Sequence, residues 1–555
     1  MRRAEPENAA DNATECLTQT TTLPPISRLN HDVLRYIFSL NGHADSCFTD
    51  VVSGRDLDDV EHPPLSEASL TVTRYSSQVC QEWRELLLNS PTIWATAFDL
   101  QCLDQVTDDW RDEVLRRTAD SLLTIIGNLS RGRPSTYFFS ELLEIHWSRI
   151  RRLHVSDHRS GLDDVVWNAL QQPSPNLEIL RIDMRFVVSD FAQVSLFANC
   201  APQLQSLQAP SLSMKPDMPW LSNIRHLWNF DMDICTVQSG FLRVLDKMPH
   251  LESISLNAGQ CFYQSIANRD SDANAVADDP LIHVSCPRLM RLELNGDIFL
   301  FSPILQYVTP SENCVLLLNG EAGFTKTFGL PEATEFGDAL STFFRNSPRR
   351  RILHPPKNLP LLYYTLTKTE LCIIFTHSCF SNDTIFVVKS DANSSWQDLP
   401  GQILRALPIC TLEGTKDLYI TLDHLPVQND TAQLLKLFRR LGYLEIISLS
   451  WRTLSIVNRV LSSEQPPTSK PNIIFPHVNT ISLYMNGFRS DPLGNVLREF
   501  LVRRIEIGIP IKDIYLRNWG DHDEAFPLLF DIVDNFNCKL HFMKNSRDTG
   551  EMANQ

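Results

Sequence analysis

At 555 residues the chain is too long for one compact core, because single domains usually contain ~100–200 residues, so several domains or an elongated repeat array are expected. Lys and Arg total 50 against 66 Asp and Glu, a net charge of −16, which argues against a nucleic-acid-binding protein because such surfaces need clustered positive charge. The 13 cysteines include no C-x-x-C pair, which argues against structural zinc and a disulfide framework and predicts free thiols in a reducing compartment.

The N-terminal region is predicted to be a polar tail followed by a helix. Residues 1–22 lack aromatic side chains and periodicity, so we expect a disordered tail. Pro24 and Pro25 exclude a helix at their position, and Asn30 further on is a good N-cap. Apolar residues then recur with helical spacing, and this group, with the residue before the cap, comprises Leu29, Val33, Leu34, Ile37 and Phe38.

Residues 41–70 are rich in aspartate and include a Pro63-Pro64 pair. A calcium loop would need the D-x-[DN]-x-[DN]-G spacing, which is absent, so the segment is predicted to be a solvated acidic insertion. An apolar stripe predicts a second helix over residues 73–88, and its members are Val79, Cys80, Trp83, Leu86 and Leu87. Ser90 and Pro91 predict the start of a third short helix, so three helices should share one core.

The segments LNHDVLRYIF (Leu29–Phe38) and SQVCQEWRELLLNSPTIW (Ser77–Trp94) together resemble the F-box of large fungal F-box families. Those families show a leucine-proline helix start, a valine-cysteine pair, a tryptophan-arginine pair and a proline before a tryptophan; here Asn30 replaces the usual first proline, and the loop between the halves is longer. The resemblance implies an F-box-like module over residues 23–100 that docks on the Skp-type adaptor of a cullin-RING ubiquitin ligase. The adaptor-binding residues that it implies are Leu29, Val33, Leu34, Ile37, Phe38, Val79, Cys80 and Trp83.

Beyond residue 140 one phrase with an L-x-x-L-x-L frame returns several times, as in Leu177–Ile182, Leu251–Leu256 and Leu289–Leu294. Helix-like segments separate the copies, and the spacing from Leu177 to Leu204 is 27 residues. A strand followed by a helix at ~20–29 residues is typical of leucine-rich repeats. We therefore predict an α/β fold in which residues 101–555 form an irregular leucine-rich-repeat-like solenoid, with a possible interruption near 310–380. A globular α/β domain whose strands share the phrase remains the alternative.

In such a repeat the leucines point into the stack and the alternate residues point outward, because side chains on a strand alternate with period two. The outward residues line the usual recognition surface of a solenoid. Those predicted to contact a protein substrate are Arg181, Asp183, Trp228, Phe230, Arg291, Glu293 and Tyr484. Trp228 and Phe230 have an alternative interpretation as part of an ordinary apolar core, because the copy at Ile224 is irregular.

The two modules together predict a substrate-recognition subunit of an SCF-type ubiquitin ligase, with no catalytic residue, cofactor or metal of its own. Motifs such as H-E-x-x-H, G-x-S-x-G and the P-loop are absent, and His522 in Asp521-His-Asp523-Glu524 is interpreted as a polar loop residue rather than a metal ligand. Two alternatives stay open: an F-box-like scaffold that acts outside a ligase, and an enzyme built on the C-terminal domain. The lack of a signal peptide or an unbroken apolar run predicts a cytoplasmic or nuclear protein without membrane or nucleic-acid contacts.

Overall fold

The computed structural model describes residues 29–42, 68–157, 163–183, 196–209, 214–231, 237–258, 281–311, 314–322, 330–346, 361–366, 370–376, 384–390, 399–406, 416–422, 428–462, 473–484, 493–517 and 535–543. The chain divides into two compact units, Met1–Ile126 and Gly127–Gln555. The predicted tail at 1–22, most of the predicted acidic insertion, and His522 lie outside the described residues.

The N-terminal unit is mostly helical. Its helices are α1 (His31–Gly42), α2 (Ser69–Ser76), α3 (Gln81–Leu88), α4 (Pro91–Thr96) and α5 (Asp109–Thr118). Two short strands, β1 (Phe98–Asp99) and β2 (Leu123–Leu129), pair in parallel with Phe98 opposite Ile125. Residues beyond 100 therefore pack with the predicted F-box-like segment as part of the same compact unit.

Helix α1 begins where the sequence predicts. The Asn30 side-chain oxygen accepts a hydrogen bond from the Asp32 amide at 3.1 Å, which satisfies one of the donors that the first turn leaves open. Leu34 and Phe38 on one face of α1 pack on Leu86, Leu87 and Ile93. The Trp83 ring is partly buried against this cluster and meets the Phe38 ring edge-on, with centroids 4.9 Å apart.

The predicted single helix over residues 73–88 is wrong, because the backbone leaves the helix after Ser76 and resumes it at Gln81. At the break, the Ser77 hydroxyl donates to the Arg74 carbonyl at 2.6 Å, and the Arg84 side chain donates to the Ser77 carbonyl at 3.1 Å. Serine side chains that bond the backbone in this way compete with helix continuation. Val79 and Cys80 therefore lie in an exposed loop rather than on a helical stripe.

The C-terminal unit alternates helices with strands. Its helices are α6 (Pro134–His146), α7 (Asp163–Leu170), α8 (Val237–Asp246), α9 (Ser302–Tyr307), α10 (Leu330–Asn346), α11 (Leu399–Ala406), α12 (Gln428–Arg440), α13 (Trp451–Ser462) and α14 (Leu493–Glu506). Its strands are β3 (Ile150–Asp157), β4 (Ile179–Asp183), β5 (Ser206–Gln208), β6 (His226–Asp231), β7 (Ser253–Ala258), β8 (Val284–Cys286), β9 (Arg291–Asp297), β10 (Val308–Pro310), β11 (Val315–Ala322), β12 (Leu361–Leu366), β13 (Glu370–Thr376), β14 (Thr384–Ser390), β15 (Asp417–Leu422), β16 (Ile446–Ser450), β17 (Thr480–Tyr484), β18 (Asp513–Arg517) and β19 (Lys539–Met543).

Strands β3, β4, β5, β6, β7, β9 and β11 pair in parallel in that order. The frame residues stand in register and are buried, and those of the central column are Leu153, Leu180, Leu207, Leu227, Ile254 and Leu292. Just before the strands, the amide of Glu178 donates to the Arg151 carbonyl at 2.8 Å, and the amide of Glu252 donates to the Arg225 carbonyl at 2.7 Å. Each strand is thus aligned by main-chain bonds to its neighbour before the apolar column begins.

The parallel order changes between residues 361 and 390. Strand β11 pairs in parallel with β14, the pairs β14–β13 and β13–β12 are antiparallel, and β12 pairs in parallel with β15. Strands β15 to β19 then continue in parallel in chain order. The change falls in the region where the sequence has no clear copy of the repeated phrase.

The mixed α/β class with a parallel sheet is confirmed, but a second predicted helix, besides the one over residues 73–88, is not formed as expected. One of the helix-like segments predicted between copies of the repeated phrase is 191–200, which precedes the copy at Leu204. Its described part contains a short helical turn at Leu196–Asn199, with positive φ angles of 56°, 46° and 62° at Phe197, Ala198 and Asn199. This left-handed turn places the Phe197 ring against Trp220, with centroids 5.4 Å apart, so packing of one aromatic residue overrides local helix propensity.

Candidate protein-interaction surfaces

Helix α1 has apolar side chains on two faces. Leu34 and Phe38 face the core of the N-terminal unit, whereas Val33 is 45% exposed and Ile37 is 40% exposed. Tyr36 and Leu40 are exposed as well. The exposed face, which we define by Val33, Tyr36, Ile37 and Leu40 and call the α1 apolar face, follows helical i, i+3, i+4 and i+7 spacing. Apolar side chains grouped in this way mark interaction sites.

Polar contacts hold α1 on the following helices. The His31 Nε2 atom lies 3.0 Å from Glu82 Oε1 on α3, and the Arg35 Nε atom donates to the Ser90 hydroxyl at 3.3 Å. Ser90 in turn donates to the Leu86 carbonyl at 2.7 Å. These contacts hold α1, and with it the α1 apolar face, in a fixed position on the helices that follow.

The eight residues predicted to bind an adaptor fall into three groups. Leu34 and Phe38 are interior, and Trp83 is partly buried on Phe38. The other five are exposed, namely Leu29, Val33, Ile37, Val79 and Cys80. Tyr36 and Leu40 were missed, although their distances of three and seven residues from Val33 place them on its face of a helix.

In the N-terminal half of the sheet of the C-terminal unit, the predicted outward residues are packed against one another. Trp228 is only 5% exposed and Arg291 only 6%. The Arg291 guanidinium lies 5.9 Å from the Trp228 ring and forms an ion pair with Glu293 at 3.0 Å. The His226 ring stacks on Trp228, with centroids 6.3 Å apart. The contact between Arg291 and Trp228 spans the intervening strand β7, and the packed side chains leave little surface for a partner.

The remaining predicted residues of this half differ in their surroundings. Arg181 is buried, and burial lowers the pKa of its guanidinium to about 10, whereas Asp183 at the end of the same strand is exposed. A register shift between Leu227 and Phe230 aligns Phe230 with Leu256, which is a frame position. The side chain of Phe230 lies outside the described ones.

In the C-terminal half the outward residues are more accessible. Tyr484 is partly exposed, and its ring meets the Tyr419 ring edge-on at 5.2 Å. Arg517 lies 5.6 Å above the Tyr484 ring, and the Tyr515 and His541 rings stack at 4.4 Å. On these strands the sequence also predicts Ser448, Ser450 and Ser482 as outward residues, but it predicts a substrate contact for Tyr484 alone. The frame Ile511-Lys-Asp-Ile514-Tyr-Leu516 matches the repeated phrase and would have located Tyr515 and Arg517.

Two thiols of the C-terminal unit, Cys286 and Cys314, are shielded from solvent. Burial raises the pKa of the Cys286 thiol to about 12, and it does the same for the Cys314 thiol, so neither forms a thiolate at neutral pH. Within the described ranges, no group of three or more His, Cys, Asp or Glu side chains has the proximity that a metal ion requires. None of the described helices combines the length and the apolarity that a bilayer crossing requires.

Neither a scan of the sequence against protein-family models nor a search of curated proteins gives a match.

Proposed function

We propose that the chain is the substrate-recognition subunit of an SCF-type ubiquitin ligase. In this proposal the N-terminal unit docks on a Skp-type adaptor, and the outward strand face of the C-terminal unit, a leucine-rich-repeat-like solenoid, binds a protein substrate. The observation that carries the proposal is the α1 apolar face, which is exposed while Leu34 and Phe38 on the adjoining face complete the core. It lies within a segment that resembles an F-box.

The role is positioning rather than chemistry. A receptor that holds a substrate beside a separately bound conjugating enzyme raises the effective concentration of the substrate's lysines. Such a receptor needs two binding surfaces, and each unit of this chain offers one candidate. Val33 is 45% and Ile37 40% exposed, so an adaptor that covers them would gain about 0.6–1.4 kcal/mol for each, the matching share of the ~1.5–3 kcal/mol for burying a whole apolar side chain.

The test is binding of the full chain to a purified Skp-type adaptor, measured by calorimetry. The double variant Val33→Asp, Ile37→Asp should weaken binding at least about 100-fold, because two buried apolar contacts are replaced by charges. Both side chains are exposed in the isolated unit, so circular dichroism of the variant should match that of the wild type.

The matched control is Ile145→Asp, which alters an exposed apolar side chain on α6 of the other unit and should leave adaptor binding unchanged. Failure of the wild type to bind the adaptor, or equal binding by the double variant, would contradict the proposal. An adaptor complex that recruits no cullin would instead favour the scaffold alternative.

A further inference from the structure

The outward residues at the C-terminal end of the sheet form two rows that cross the strands; most are partly exposed, Ser482 is buried and Met543 is exposed. The first row, at successive register partners, is Tyr419, Ser448, Ser482, Tyr515 and His541. The second row, two residues further along each strand, is Ser450, Tyr484, Arg517 and Met543. We call the surface that Tyr419, Tyr484, Tyr515, Arg517 and His541 form the tyrosine face.

Small residues on β16 allow the tyrosine rings of the neighbouring strands to meet. The ring centroids of Tyr419 on β15 and Tyr484 on β17 lie 5.2 Å apart, although β16 separates the two strands. They can do so because β16 carries only serines, Ser448 and Ser450, between them. The rings of Tyr419 and Tyr484 therefore lie above the short serine side chains of β16. All five residues of the tyrosine face stay partly exposed.

The tyrosine face has the composition of binding hot spots in protein interfaces, which are enriched in Tyr, Trp and Arg. The N-terminal half of the sheet also pairs an aromatic residue with an arginine, Trp228 and Arg291, but both of these side chains are buried. Accessible aromatic surface beside an arginine is thus found on β15–β19 rather than on β4–β9 among the described strands.

Arg517 carries a positive charge on the tyrosine face, and the carboxyl groups of Asp417 and Asp513 lie on the same side of the sheet, two residues before Tyr419 and Tyr515. The Arg517 guanidinium lies over the Tyr484 ring and donates to the Tyr484 hydroxyl at 3.4 Å, which are contacts to a neutral group. Among the described residues it forms no ion pair, whereas Asp513 on the same strand is bonded to His541 at 3.0 Å. An arginine held in place by an aromatic ring is preorganised to accept a planar anion.

We infer that the tyrosine face binds an extended segment of a protein partner that places an Asp or Glu carboxylate on Arg517 and apolar side chains on the tyrosines. The inference rests on the proposed function, because it locates the substrate site of the receptor. A carboxylate fits better than a phosphorylated side chain, because phosphate recognition uses clusters of arginine and this face has one.

The probe is a displayed library of random linear peptides, selected on the purified full chain without any adaptor. Peptides selected by the wild type should be enriched at least about fivefold in Asp or Glu at one position, with aromatic or aliphatic residues nearby. Individual peptides should lose about tenfold or more in affinity for Arg517→Gln, the loss expected when one charge-assisted hydrogen bond is removed. Tyr484→Ala should weaken the same peptides.

Arg498→Gln is the matched control, because Arg498 is an exposed arginine on α14 and should bind the peptides as the wild type does. The inference would be overturned if the selected peptides lacked an acidic position or showed no enrichment above a selection on the empty support. It would also be overturned if the peptides bound Arg517→Gln and the wild type with equal affinity. Tighter binding of phosphoserine peptides than of their Glu counterparts would overturn the choice of carboxylate. Because no adaptor is present, these results are independent of whether the chain joins a ligase.

Discussion

Arg504 tests how the C-terminal unit is held together. It lies in the last turn of α14 and is only 3% exposed, yet it reaches back to the loop before β17. Its terminal nitrogens donate to the carbonyls of Ile474 at 3.3 Å, Phe475 at 3.0 Å and Val478 at 2.8 Å. Arg504→Met keeps much of the apolar stem and removes all three hydrogen bonds.

The magnitude follows from two opposing effects. A hydrogen bond to a charged group contributes about 1.5–3 kcal/mol, so three such bonds set an upper limit of about 9 kcal/mol. Burial opposes this, because the desolvated guanidinium is costly, as shown by its pKa, which burial lowers to about 10. The Phe475 carbonyl also keeps the Val478 amide at 3.3 Å. We expect Arg504→Met to destabilise the unit by about 2–4 kcal/mol.

The assay is urea-induced unfolding combined with hydrogen exchange of peptides that cover residues 473–484. Exchange there should accelerate at least about 30-fold, the factor that corresponds to 2 kcal/mol in local opening. Arg498→Met is the control, because Arg498 is exposed on the same helix. Arg504→Met within about 0.5 kcal/mol of this control, with unchanged exchange, would refute the assigned role of the three carbonyl bonds.

Three further predictions concern other sites. Burial raises the pKa of Asp297 from 3.8 to about 6, so the stability that the protonated carboxyl contributes is full below pH 4 and is lost as the pH rises through 6. Between pH 4 and pH 7, the free energy of unfolding of Asp297→Asn should therefore rise by up to about 3 kcal/mol relative to that of the wild type. Unfolding titrations that give a pH-independent difference would count against this. Thr453→Val should cost about 1–3 kcal/mol in urea unfolding, because the buried hydroxyl accepts from the Leu422 amide at 2.8 Å and contacts the Ser450 hydroxyl at 2.8 Å; a neutral result would show that these bonds are replaced. Elemental analysis of the purified chain should show no stoichiometric metal, and bound zinc, calcium or iron would contradict the prediction.

Local signals in the sequence were sufficient for the parts of the fold that depend on neighbours along the chain. Asn30 caps α1 as predicted because a capping bond involves residues two positions apart. Leu180 and Leu207 were placed in a buried column because a strand alternates its side chains with period two. The break between α2 and α3 was missed because the Arg84 contact that stabilises it joins residues that are seven positions apart.

Accessibility of the outward residues was not predictable in the same way. The phase of Trp228 along β6 is a property of one strand, but its burial depends on His226 and on Arg291, which lies two strands away in the sheet. Tyr484 has the same phase and stays accessible because its neighbours on β16 are serines. Composition across several strands, rather than pattern along one, therefore decides which part of the face is open.

The antiparallel strands between residues 361 and 390 have a consequence for how unfolding spreads. In a one-dimensional array each strand is stabilised mainly by its two neighbours, so local opening propagates step by step. Among the described strands, the pairings that join the parallel sets β3–β11 and β15–β19 run through β14, β13 and β12. A destabilising change at Leu180 should thus loosen strands β3–β7 first, while β15–β19 keep their protection against hydrogen exchange as a separate cooperative block.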